Sequence, residues 1–149
     1  MMFANTSTFS NTLAESYRDE VCLAAIQCKD APTHAVQGTV YFSTIVNSEK
    51  FEWALVPLES RDVKLYASPP GVTHAVCAEN RDVLCAGEGS YKGGKLTINN
   101  RSGHYKPSCD SLEPAKKYWI AAGFLPENII VKKHSHELVH ELVYDGFFG

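Results

Sequence analysis

The sequence predicts an α+β fold, and three patterns point to it. Between residues 36 and 101 runs a series of short segments rich in β-branched and aromatic residues, bounded by Gly, Pro, Asn and Ser. Before them, and again after residue 108, apolar residues recur at spacings of three and four, the period of a helix face. The segments after residue 128 read as one more short apolar strand and a terminal amphipathic helix. The expected architecture is an antiparallel β-meander preceded by one helix and packed on one face by the C-terminal helices.

Residues 1–11 are polar and Ser/Thr/Asn-rich and are expected to be flexible; residues 12–149 are expected to form one globular domain. Thr12-Leu-Ala-Glu15 has the form of a capping box, followed by the stripe Leu13, Tyr17, Val21, Ala24 and Cys28. Pro32 ends that helix. "VQGTVYFSTIV" and "FEWALVPL" read as strands joined through "NSEK", and "DVKLYA" is a third, stopped by "SPPG". "VTHAVCA" and "DVLCAGEGSY" are expected as the next strand pair, and "YKGG" turns the chain into "KLTIN". After the corner "NNRSGHYKPS", a helix is expected from about Ser108 to Ala122. Leu112, Ala115, Trp119 and Ala122 form its inner face, with Gly123 as its C-terminal cap. "NIIVKK" then reads as a strand and "SHELVHELV" as the last helix.

At 149 residues with 44% hydrophobic and 21% charged residues, the chain is long enough for one sizeable core. The net charge of −3 excludes a uniformly polycationic protein. Charge is nonetheless uneven. Residues 92–133 carry eight Lys and Arg against three Asp and Glu, a local +5 that can attract a polyanion. The five cysteines are odd in number, sit among apolar neighbours and form no C-x-x-C knuckle, which fits reduced, buried thiols. The N-terminus has neither a cationic start nor an apolar run, and no segment reaches the length of a membrane span. The expected location is cytoplasmic, or exported without a cleaved signal peptide. No membrane partner and no cofactor are expected.

Residues 136–140, "HELVH", match the zinc-hydrolase pattern in which His136 and His140 hold the metal and Glu137 activates water. The match is disfavoured. Only nine residues follow, without a histidine to complete the ligand set, and Glu141 stands where such helices carry an uncharged residue. An amphipathic helix burying Val139 and Val143 is the preferred account, and no metal site is expected.

The stretch "LYASPPGVTHAVCAENRDVLCAGEGSYKGGKLTINNRSGHYKPSCDSLEPAKKYWIAAGF" has a recognisable skeleton. A histidine is followed by "AGE", a strand ending in "SGHYKP", and a capped helix ending in glycine. Over residues 65–131 this resembles a segment of plant IQ-motif calmodulin-binding proteins, where "HSSFLAGG" precedes "AAGR" and "SGHYRPT". It is also similar to C-terminal cargo domains of some bacterial polymorphic toxins. Only His74 of the "HSSFLAGG" run is kept. The IQ motif itself is absent, because "AAIQCKDAPTH" lacks its basic residues, so calmodulin is not implied as a partner. The resemblance singles out His74, Glu88, Ser102, His104 and Tyr105.

Sequential pairing of the meander would bring His74 and His104 together with Glu88 between them. Two imidazoles can act as acid and base near neutral pH. Glu88 would orient one, while Tyr105 or Lys106 would stabilise charge on a phosphate. His74, His104, Glu88 and Tyr105 are therefore the candidate catalytic residues, and Arg101, Ser102 and Lys106 the candidate substrate-binding ones. The expected function is a small toxin- or effector-like domain that cleaves RNA without a metal. A non-enzymatic module that binds a partner protein is the alternative; in that case "SGHYKP" is only a corner, with His104 bonded to backbone and Tyr105 packed on the sheet. An ADP-ribosyltransferase-like enzyme with Glu88 as the catalytic carboxylate ranks below RNA cleavage. Thiol catalysis by Cys77 or Cys85 with His104 is disfavoured by their apolar surroundings.

Overall fold

The computed structural model describes residues 8–27, 35–36 and 46–136. Six strands form one sheet: β1 (Ala35–Val36), β2 (Phe51–Pro57), β3 (Val63–Ser68), β4 (Cys85–Lys92), β5 (Lys95–Asn99) and β6 (Ile129–Lys132). Among the described residues three α-helices with given bounds accompany it: α1 (Tyr17–Gln27), α2 (His74–Cys77) and α3 (Leu112–Ala121). The α+β class is as the sequence predicts, and the sheet is mostly antiparallel.

The sheet is not a simple meander. Its spatial order is β1-β3-β2-β4-β5-β6, so β2 lies between β3 and β4 and is antiparallel to both. The chain from β3 to β4 must therefore cross over β2, and it carries α2 as it crosses. β6 joins the edge parallel to β5, because α3 returns the chain to the end from which β5 began. Among the described residues only the β4–β5 turn is a tight hairpin of the expected kind. Lys92 pairs with Lys95 across Gly93 and Gly94, whose φ values of 60° and 79° are what a two-residue hairpin turn requires.

"VTHAVCA" is a helix rather than a strand. The Thr73 side chain accepts a hydrogen bond from the Val76 amide as an N-cap, and Glu79 and Asn80 end the turn with left-handed φ values of 56° and 61°. Short apolar runs fit either state by pattern alone, and here Ala75, Val76, Cys77 and Ala78 are all buried, which suits a helix roofing the sheet. Thr12 does not close a capping box. Its hydroxyl and amide both donate to the His104 carbonyl, while Asn11 Oδ1 accepts from the Leu13 amide, and Leu13 is 49% exposed. Most of "VQGTVYFSTIV" and most of the terminal "HELVHELV" lie outside the described residues.

Helices cover both faces of the sheet, not one. On one face Phe51, Trp53 and Leu55 of β2 pack with Leu65, Leu96 and Ile98 beneath Leu112, Ala115 and Trp119 of α3. On the other, Ala54, Val56, Tyr66 and Ala86 pack against Cys77 and Ala78 at the end of α2, with Tyr105 in the same cluster. Tyr17 and Val21 of α1 then pack on Val72 and Val76 as an outer layer. Among the described residues no helix is long and apolar enough to cross a membrane.

Candidate functional site

Strand alternation decides where the polar residues go. Because β2 buries Phe51, Trp53 and Leu55 against α3, Glu52 must emerge on the α2 side. In register, Glu52 stands opposite Ser68 of β3 and Glu88 of β4. Asn99 of β5 continues the row. Its Oδ1 accepts from the Glu88 amide at 2.8 Å and from the Arg101 amide at 2.9 Å, and its Nδ2 donates to Glu88 Oε1 at 3.3 Å. The glycines around Glu88 have a steric cause. A Cβ on Gly87 would meet the Asn99 carbonyl oxygen at 1.7 Å, and one on Gly89 would meet the Phe51 ring at 2.3 Å.

The polar row floors two adjoining clefts. One, of about 270 Å³, is lined by residues that include Glu52, Thr73, His74, Glu88, Arg101 and His104. The second, of about 260 Å³, shares Glu52 and Glu88 and extends past Ser90, Thr97 and Asn99 to Lys50. Four of the seven residues singled out in the sequence, His74, Glu88, Arg101 and His104, thus meet on the first cleft.

His104 is held by a carboxylate from α1. Its Nε2 lies 2.8 Å from Glu20 Oε2. Ser16 donates to the same oxygen at 2.5 Å, and Thr73 donates to Glu20 Oε1 at 3.0 Å. Burial opposes the Glu20 charge, but the hydrogen bonds from His104, Ser16 and Thr73 outweigh it and hold the carboxyl below its usual range. Glu20 is therefore an acceptor at neutral pH, and Nε2 of His104 carries a proton donated to it. Nδ1 takes no part in that bond.

His74 is in a different state. Its Nε2 is 2.7 Å from the Gly87 carbonyl and 3.1 Å from Glu52 Oε1. A carbonyl only accepts, so Nε2 carries the hydrogen. Burial, despite the Gly87 bond, lowers its pKa to about 4, with the charge of His104 adding to the effect. Burial and the opposing Glu88 push Glu52 up to about 8. At neutral pH the close His74–Glu52 contact is between a neutral imidazole and a protonated carboxyl, not between ions. The expected His74–His104 pairing is not what the geometry favours: burial keeps His74 neutral near pH 7, and its Nε2 hydrogen is committed to the Gly87 carbonyl.

The remaining candidates are parts of the corner rather than of the cleft. Tyr105 is buried, and its hydroxyl donates to the Arg81 carbonyl at 2.7 Å. Burial raises its pKa far above the usual phenol range. Ser102 is fully buried; its Oγ accepts from the Tyr105 amide and its carbonyl from the Lys106 amide. Lys106 is exposed, with a φ of 47° that closes the turn. "SGHYKP" is thus a corner fixed by Ser102 and Tyr105 that presents His104. Cys77 and Cys85 are buried, and burial pushes both thiols up to about 12, against a thiolate role. His136 Nε2 donates to the Asn100 carbonyl at 2.8 Å, while Glu137 and His140 lie outside the described residues. Among the described residues no group of three or more His, Cys, Asp or Glu is placed to hold a metal ion.

Two members of the site, Glu20 and Glu52, are not among the residues that the sequence singles out. Glu20 is 84 positions from His104 and reads only as a helix-surface acid. Glu52 had a faint signal, a carboxylate inside the apolar strand "FEWALVP". No protein-family model, curated protein or solved structure matches this chain.

Proposed function

We propose that this domain is a small, toxin- or effector-like ribonuclease that cleaves RNA without a metal ion. The observation that supports it is the meeting of Glu88, Arg101 and His104 on one cleft. Transesterification of RNA needs a base for the 2′-hydroxyl, a cation for the charge that grows on phosphorus-bound oxygens, and an acid for the leaving oxygen. Glu88 takes the 2′-hydroxyl proton, and the freed oxygen attacks the adjacent phosphorus. His104 gives a proton from Nδ1 to the departing 5′-oxygen while Nε2 stays bonded to Glu20. The products are a 2′,3′-cyclic phosphate and a free 5′-hydroxyl. Arg101 faces the charge on the phosphate, and the protonated Glu52 beside Glu88 keeps a further negative charge out of the cleft.

The test is cleavage of an unstructured RNA in the presence of a chelator. His104→Ala and Glu88→Gln should each lower the rate by roughly 10²-fold or more. Thermal melts run beside the assay separate lost chemistry from lost fold. No cleavage by the unmutated protein, or full activity in folded His104→Ala, rejects the reading.

One observation favours a second reading. Glu52 and Glu88 are cross-strand neighbours, one protonated and one facing it, as a glycosyl-transfer centre requires of its acid and its cation-stabilising carboxylate. An ADP-ribosyltransferase-like activity would use that pair. Release of nicotinamide from NAD, lost in both Glu52→Gln and Glu88→Gln, would select it over RNA cleavage.

A further inference from the structure

The basic segment of the sequence becomes a defined edge of the site through Asn100. This residue is fully buried. Its Nδ2 donates to the Pro107 carbonyl at 2.9 Å and to the His134 carbonyl at 2.8 Å, and its Oδ1 accepts from the His134 amide at 2.7 Å. With the bond from His136 to its carbonyl, Asn100 clamps the corner 101–107 against the chain leaving β6. Positive groups distant in sequence are gathered as a result. The His134 and His136 rings stand edge to face with centroids 4.5 Å apart. Both are held below the usual imidazole range, first by burial; Arg101 adds to this at both rings and Lys106 at His136. The edge adjoins the cleft through Arg101, which lines it. Lys132 pairs in register with Asn99 and so shares the face that carries Glu88, two strands away, roughly 10 Å.

We propose that this edge, formed by Arg101, Lys106 and Lys132 and framed by His134 and His136, is a phosphate-backbone subsite that seats single-stranded RNA across the cleft. The choice of RNA as ligand rests on the ribonuclease reading; the anionic character of the ligand rests on the edge itself. The cations come from β6, from the residue after the Asn pair and from the turn, so they suit a ligand with several spaced negative groups. A single strand fits because in-line attack by a 2′-oxygen requires a backbone free of the A-form helix. The half-buried imidazoles also offer ring edges and faces to unstacked bases.

The experiment measures binding of a short, labelled, all-2′-deoxy oligonucleotide, which cannot be cleaved, by fluorescence anisotropy between about 50 and 200 mM salt. The unmutated protein and a Lys106→Ala/Lys132→Ala variant are compared. Both lysines are exposed, so the variant should melt like the parent. Its affinity at low salt should fall roughly tenfold, and its salt slope by about 0.7 per lysine removed. Equal affinity and slope in the double variant overturn the subsite. So does full displacement of the oligonucleotide by polyglutamate or by free phosphate, which would mark a general anion patch. Lysine-dependent binding without any RNA cleavage leaves the subsite standing and rejects the ribonuclease reading alone.

Discussion

The two faces of the central sheet are built from alternate residues of the same strands and serve opposite ends. Toward α3 the contributions are Phe51, Trp53, Leu55, Leu96 and Ile98. Trp119 caps them, its ring 5.8 Å from Phe51 and 5.6 Å from both Trp53 and Phe124. Toward α2 the floor begins apolar at Ala54 and Ala86 and becomes polar one pair later, at Glu52 and Glu88. Aromatic packing on the first face supplies stability, and the second face holds buried carboxyl and imidazole groups that cost stability. A small domain can carry such a cleft because its apolar half compensates.

The largest stability effect is expected on the apolar face. Trp119→Ala should destabilise the fold by about 3–5 kcal/mol, because a fully buried indole with three aromatic neighbours leaves a cavity that rigid strands cannot close. Chemical denaturation measures this, and a loss below about 1 kcal/mol would mean that the α3 face is not the main source of stability.

The polar face is tested next, through pH. Glu52 has its folded pKa raised from 4.5 to about 8, so the folded state holds a proton that the unfolded state has released between those values. Stability from this group is therefore lost as pH rises through that window. His74 has its folded pKa lowered from 6.5 to about 4, so its contribution is lost as pH falls through that range. The two opposing slopes largely cancel between pH 4.5 and 6.5, and from pH 6.5 to 8 the Glu52 slope stands alone. Stability should fall there by roughly 1.4 kcal/mol per pH unit at most. Glu52→Gln should abolish that fall and expose the His74 rise at lower pH. Denaturation midpoints across pH check this, and an unchanged profile in Glu52→Gln would show that its carboxyl is not buried in the protonated form.

The smallest effect distinguishes buried from accessible thiols. Cys77 and Cys85, one beneath each face, should resist a thiol reagent until the protein unfolds, while exposed Cys22 and half-buried Cys109 should react in the native state. Site mapping by mass spectrometry reads the difference. Native labelling of Cys85 would show that the α3 face opens on its own.

Much of the fold was legible because its signals are local. The alternation in "FEWALVP" and "DVKLYA", the Gly93-Gly94 turn, and the stripe Leu112, Ala115 and Trp119 closed by Gly123 (φ 116°) each specify an element from a few neighbouring residues. "SGHYKP" was visible as a distinctive corner for the same reason, and its histidine lines the cleft. The division of labour inside it was not visible. Ser102, Tyr105 and His104 are equally polar on paper, and only packing buries the first two and exposes the third to Glu20.

Local patterns were thus enough for the class of the fold, five of its strands (β2 to β6), its tightest turn and the helix of the apolar face. The tertiary structure alone decided that "VTHAVCA" would be a helix, that β6 would run parallel beside β5, and that helices would cover both faces. It also brought Glu20 to His104, Glu52 to His74, and Asn100 to His134. The physical reason is the range of the forces involved. Turn geometry and side-chain periodicity act over a few residues and leave their mark in the chain. A partner 84 positions away is chosen only when crossing connections close the sheet, and the burial that then shifts a carboxyl or an imidazole exists only in the folded interior.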